Sequence, residues 1–433
     1  MAAALPLVLI SLVACSDSAG SPNSLDQSNS SDSSSNDGDI VVVGGEPIME
    51  VFISSDVDPS VGEAIEKTLN VAGEYWGLWW PVEYWVMGLE EKAGRDLVDQ
   101  FCARRDARSQ WDYDDCMERE AGPGDHSMMS YQRLGAKAVA AEQPSLSAGR
   151  NGTADWGIHR FASSLPWGLA GLFGIPGEEE VKTVLHEYWH AVQHSHILTL
   201  NRDKRDELLG PVWFVEGSAE YMSQYGRADL RSQGLLPEVP MGDWPFALED
   251  QMENKLRIVD DALSGECKGR ELTSITEYSD PCSYLGYDMG AWASAYLMNI
   301  AGNDVLLEQF YPDLESTGWQ ASFEKVAGMS LDQFNSEFVE FIGKSTEERM
   351  AILPVFPEDK KYENLAACRT VRLFAKDTND LCQAKPEAQH HKAQGDKANC
   401  NHENEKDHSR HPTLATGVNK PVWPPAISQS SHK

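Results

Sequence analysis

The run Val184-Leu185-His186-Glu187-Tyr188-Trp189-His190-Ala191-Val192 sets two imidazoles four residues apart, with a carboxylate beside the first. Four residues is about one helical turn, so on a helix His186 and His190 project from one face. Two imidazoles placed this way can bind one Zn²⁺, and Glu187 can take a proton from a water held beside it. Two packed histidines in an aromatic-rich helix give the same pattern, so the surrounding sequence has to decide.

Catalytic zinc has three protein ligands and an open position, and the chain offers two candidates for the third. His196 follows His190 at the metzincin interval, but that arrangement needs a glycine where this chain has Gln193. With Gln193 in place, the helix is expected to continue and carry His196 away from the other two. His194 shares roughly the metal face, as a supporting residue or a solvent-facing one. Glu216 lies in Trp213-Phe214-Val215-Glu216-Gly217-Ser218-Ala219-Glu220-Tyr221. A helix from about Val212 to Gln224, closed by Gly226, sets Glu216 and Glu220 on one face. Among those apolar neighbours an unpaired carboxylate is costly, and a metal with a metal-bound histidine satisfies both acids.

These residues resemble the gluzincin metallopeptidases, which carry His-Glu-x-x-His on one helix and a glutamate ligand on the next. The form Trp213-x-x-Glu216-Gly217-x-Ala219-x-Tyr221 is similar to the branch containing aminopeptidases, the leukotriene hydrolase and bacterial collagenases. The interval from His190 to Glu216 is nearer the collagenase one. The resemblance covers about residues 177–343. It implies one Zn²⁺ held by His186, His190 and Glu216, Glu187 as general base, and Glu220 as the acid that orients a zinc histidine. It also implies that the phenol of Tyr287 hydrogen-bonds a developing oxyanion, with Tyr284 as its rival.

The implied fold is α+β, with a mixed sheet and helix upstream, a mostly helical half downstream and the zinc cleft between. The implied substrate is a peptide or protein. Aminopeptidases of this superfamily read the free amine partly through a Gly-x-Met-Glu-Asn segment, which this chain lacks. Its corresponding region offers Asp155-Trp156-Gly157-Ile158-His159-Arg160. An endopeptidase is therefore expected. The alternatives are an aminopeptidase and a non-catalytic surface protein stabilised by zinc.

Elements to position these residues are legible on both sides. Ile40–Val43 and Met49–Ile53 are β-like in composition, Pro59–Trp76 repeats apolar residues at helical spacing, and Pro81–Met87 reads as a strand. Residues 89–125 form a charged insertion, and 126–141 a further helix. Ala154–Ser164 reads as a strand, either buried or at a sheet edge where an extended peptide can add. Gly177 opens the metal helix, with Glu178, Glu179 and Glu180 at its positive end. Downstream, Ser283–Ala291 opens an apolar helix, and helices run from Phe310 to Gly343, with Ser330 and Gln333 at capping-box spacing.

The 433 residues carry 41% hydrophobic residues and 13 Trp, ample for a packed core, and a formal charge of −32. So acidic a chain repels nucleic acid and anionic membrane surfaces. Eight cysteines suggest three local disulfides, Cys102–Cys116, Cys267–Cys282 and Cys368–Cys382, formed in an oxidising compartment. Leu12-Val13-Ala14-Cys15 resembles the bacterial lipobox, which implies a signal peptide over 1–14 and a lipid anchor on Cys15. Ser16 then implies the outer membrane or cell surface, with a periplasmic or secreted protein as the alternative. Residues 15–39 read as a Ser/Asp/Asn-rich tether, 40–180 as an upstream α/β part, and 181–345 as the helical metal-binding half. A C-terminal extension (346–382) and a solvated His-rich tail (383–433) complete the expected organisation.

Overall fold

In the computed structural model, residues 48–77, 81–125, 127–142, 159–165, 167–197, 199 and 202–357 are described. The expectations for the lipobox and Cys15, the tether, the strand over Ile40–Val43, Asp155, Cys368–Cys382, Cys400 and the His-rich tail lie outside those residues.

Alternating apolar residues form strand β1 (Met49–Ile53), and Asp58 then starts helix α1 (Pro59–Trp76) by accepting from the Ser60 amide. Proline at the first helical position needs no amide partner, which suits this start. Strand β2 (Val82–Val86) follows, and after three helices comes β3 (His159–Ser163). The three strands form a parallel sheet in the order β1-β2-β3, with Val51 beside Tyr84 and Tyr84 beside Phe161. Among the described residues the sheet is thus wholly parallel, where a mixed one was expected. Among the described residues β3 is an edge strand, and its Phe161, Ala162 and Ser163 are nevertheless buried, so both readings of the sequence apply.

β2 is buried on both faces, and its side chains divide between them as the two-residue period requires. Val82, Tyr84 and Val86 enter the main core. Trp85 and, just past the strand, Met87 enter a second core, with Phe101 of α2 (Glu91–Ala107) and Met128 and Met129 of α4 (Met128–Ala140). The segment expected as an insertion therefore covers the sheet, and the disulfide Cys102–Cys116 ties α2 to α3 (Tyr113–Glu120).

Glu83 also faces this second core, where Arg105 meets both of its oxygens at 2.5 and 2.6 Å and Arg104 and Arg108 reach it at 2.7 and 2.8 Å. Burial pushes the Glu83 carboxyl up, but Arg105 and then Arg104 pull it further down, below the usual carboxylate range. Its stabilising effect is full above the unfolded glutamate value and is lost as pH falls through the lower folded one. Glu83→Gln leaves buried Arg105 uncompensated, and we expect a loss of about 3–5 kcal/mol at neutral pH. Denaturant unfolding at stepped pH should show the gap to wild type closing in acid. A gap that stays constant into strong acid contradicts the pairing.

Downstream the chain is helical: α5 (Gly177–Ser195), α6 (Arg202–Leu209), α7 (Val212–Ser232), α8 (Leu248–Ser264), α9 (Tyr284–Ala301) and α10 to α13 (Tyr311–Thr317, Trp319–Ala327, Leu331–Ile342, Thr346–Met350). Ser330 caps α12 by accepting from the Gln333 amide. The reciprocal capping box occurs one helix later, between Ser345 and Glu348. α5 packs between α1 and α7, and α7 packs on α9. α7 does not close at Gly226, where the sequence suggested an end; it runs on to Ser232. A Cβ at Gly226 would lie 2.4 Å from the Trp76 ring, so this glycine serves helix contact.

Candidate metal centre

Within the His-Glu-x-x-His turn the aromatic residues set the rotation of α5. The Tyr188 hydroxyl donates to the Gly77 carbonyl, and its ring stacks on Trp76 with centroids 6.3 Å apart. Trp189 meets Trp76 edge-on at 5.1 Å. With those rings held on α1, His186 and His190 meet Glu216 of α7.

The Nε2 atoms of His186 and His190 are 3.1 Å apart, and Glu216 Oε2 lies 3.3 and 3.4 Å from them. Ligands at about 2.0–2.1 Å from a tetrahedral ion stand roughly 3.3–3.4 Å from one another. Glu216 Oε2 is buried and makes no hydrogen bond, although it faces two ring nitrogens. A shared cation satisfies that oxygen and both lone pairs at once. The trio can therefore hold a metal ion.

Each ligand is fixed from behind. His190 Nδ1 lies 2.8 Å from Gln193 Oε1, and Gln193 Nε2 donates to the Val215 carbonyl at 2.9 Å and to Ser218 at 3.0 Å. Those two acceptors orient the Gln193 amide, so His190 carries its proton on Nδ1 and turns the Nε2 lone pair inward. His186 Nδ1 lies 3.1 Å from Glu220 Oε2, a charge contact outside hydrogen-bond geometry. The hydroxyl of Tyr278 donates to Glu216 Oε1 at 2.5 Å, leaving Oε2 for the shared point.

The electrostatics point the same way. Burial lowers the His186 pKa, but Glu216 and Glu220 raise it more, to about 9. Burial pushes Glu216 up, while His190 and His186 hold it far below the usual carboxylate range. The buried carboxylates favour positive charge at this point, either a proton on His186 or a cation that takes its place.

His196 stands outside the group, as the residue at Gln193 led us to expect. α5 runs through Gln193, and His196 ends it, with Nδ1 2.9 Å from the Val192 carbonyl and its ring on Tyr311. His194 is buried, which rules out the solvent-facing placement. Glu187 is buried in the same turn as the histidines. The Tyr287 ring stacks over His186 at 6.3 Å and 15°. Its rival Tyr284 instead contacts Glu266 at 2.7 Å and Cys267 at 3.4 Å. The disulfide Cys267–Cys282 pins the segment that leads into α9.

Glu178, Glu179 and Glu180 sit in the first turn of α5, but all three are buried rather than solvated at the helix end. Arg231 pairs with Glu178 at 2.8 Å, while burial, and then Glu179, push the Glu180 carboxyl up to about 8.

Sequence reasoning did not pick out Gln193, Tyr278, Lys182 or Lys255 as site residues. Lys182 carried a usable signal, since it lies one turn before His186 on the same helix. Gln193 registered only as a missing glycine.

Comparison with protein-family models, with curated proteins and with solved structures finds no match to this chain.

Proposed function

We propose that this chain is a zinc-dependent peptidase of the gluzincin type, acting as an endopeptidase outside the cytoplasm. The observation that carries the reading is the Nε2–Nε2–Oε2 triangle with edges of 3.1 to 3.4 Å, with Glu187 next to one ligand in sequence. Two imidazoles and one carboxylate are a donor set that suits zinc and leaves a fourth position open.

Zinc, when bound, supplies a Lewis acid that polarises a carbonyl and acidifies a water. Every other part belongs to the chain. His186, His190 and Glu216 hold the ion, while Glu220 and Gln193 fix the two rings. Glu187 accepts a proton from the attacking water and delivers it to the leaving amine nitrogen as the C–N bond breaks. Tyr287 donates a hydrogen bond to the carbonyl oxygen as charge develops there. Because these groups are buried, their fields act with little screening.

An extended peptide can add to the edge strand β3 through main-chain hydrogen bonds. The absence of a Gly-x-Met-Glu-Asn segment supports internal cleavage over removal of N-terminal residues. Both disulfides in the described residues, Cys102–Cys116 and Cys267–Cys282, support an oxidising compartment. No described helix is long and apolar enough to cross a membrane. The lipobox-like Leu12–Cys15 supports attachment through lipid on Cys15, at the outer membrane or cell surface.

A second reading, a zinc-stapled scaffold without catalysis, is favoured by the depth of the ligands, exposed by 4%, 1% and 0% at His186, His190 and Glu216. A peptide library separates the two readings. Zinc-loaded protein should cleave internal bonds, a chelator should stop it, and N-terminal acetylation should leave the rate nearly unchanged. Products released one residue at a time, and only from unblocked peptides, would instead identify an aminopeptidase.

A further inference from the structure

Behind His186, five charged side chains from four helices meet in the interior. Glu220 of α7 is the centre. Lys182 of α5 reaches both of its oxygens at 3.2 Å, and Lys255 of α8 reaches Oε1 at 2.9 Å. Lys255 also holds Asp288 of α9 at 2.9 Å, and Lys182 lies 3.8 Å from Glu179. The side chains of Lys182, Lys255 and Glu220 are exposed by only 4%, 9% and 2%.

Such a cluster is poorly explained by stability alone. Desolvating two ammonium groups and their carboxylates is expensive, and apolar residues of similar volume usually serve the fold as well or better. What the charges do accomplish is geometric. Glu220 has rotatable bonds that would let its carboxylate swing. Donors arriving from two other helices fix both oxygens, and Oε2 is the one that meets His186 Nδ1 at 3.1 Å. A lysine donates up to three hydrogen bonds from one point, so Lys255 can bridge Glu220 to Asp288 and tie the arrangement to α9.

We infer that Lys182 and Lys255 are positioning residues of the metal centre: they lock Glu220 in the orientation that presets the His186 ring, and so the direction of its metal-binding nitrogen. The inference rests on the reading that the trio binds zinc. It assigns the two histidines unlike supports, a neutral amide for His190 and a lysine-clamped carboxylate for His186.

The test uses full-length protein and zinc alone. Zinc affinity is read by competition with a chromogenic chelator, ligand geometry by the visible spectrum of the Co²⁺-substituted protein, and folding by circular dichroism. Lys182→Met removes one donor, while the pair Lys255→Met with Asp288→Leu removes a donor together with its counter-charge. Each is expected to keep the helical spectrum, to weaken zinc binding by about 10–100-fold, and to shift the Co²⁺ bands. Glu83→Gln, at the arginine cluster on the sheet, controls for destabilisation and should change neither affinity nor bands. Wild-type affinity and spectrum in either folded lysine variant overturn the clamp and leave the metal reading standing. A wild-type chain that takes up no zinc overturns both. Weakening by Glu83→Gln as large as by the lysine variants assigns the effect to general destabilisation and also overturns the clamp.

Discussion

Glu187→Gln should retain one zinc per chain and lose about 10²–10⁴ in peptide hydrolysis, the range that a positioned general base contributes. Glu187 is outside the ligand trio, so the amide leaves the three metal contacts untouched. It is also buried in a helix turn fixed by Tyr188 and Trp189, where a near-isosteric amide keeps the packing. What the amide cannot do is accept the proton from water and pass it to the amine. Wild-type turnover in the variant would mean that the proton travels by another route. Equal silence of both proteins across a broad peptide library, with zinc bound in each, would favour the scaffold reading.

Gly290→Val is expected to cost stability and to weaken zinc binding with it. α7 and α9 touch at Gly217 and Gly290. A Cβ on Gly290 would lie 2.1 Å from the Trp213 carbonyl oxygen and 2.9 Å from Gly217 Cα, and one on Gly217 would lie 2.3 Å from the Gly290 carbonyl carbon. These neighbours are backbone, so relief requires the helices to part. Glu216 immediately precedes one glycine, and Tyr287 lies about one turn before the other. Overpacking of this kind costs about 1–3 kcal/mol and sometimes more. The midpoint of denaturant unfolding and chelator competition for zinc should fall together. A variant with wild-type stability and affinity would show that the crossing does not set the position of Glu216.

The candidate centre was legible where local rules govern it. The four-residue interval and helical periodicity paired His186 with His190, and the cost of an unpaired acid among apolar neighbours singled out Glu216 and Glu220. Gln193 in the place of a glycine predicted that α5 runs on and takes His196 away. Gly226 misled, because a glycine near a helix end and a glycine pressed against another helix look alike in sequence; the ring of Trp76 makes the difference. Strand composition carried no direction, so the parallel pairing of β1, β2 and β3 emerges only from the connections. Lys255 and Tyr278 come from far along the chain, and tertiary packing alone brings them to Glu220 and Glu216, with Asp288 on Lys255.

Zinc content of the purified chain at neutral pH, measured for wild type, Glu216→Ala and His196→Ala, tests the central claim most directly. One zinc per chain is predicted for wild type and for His196→Ala, whose imidazole lies on the Val192 carbonyl and Tyr311. Glu216→Ala should hold no stoichiometric zinc. Wild-type protein without zinc would contradict the account outright, and full zinc in Glu216→Ala with loss in His196→Ala would transfer the third ligand to the histidine.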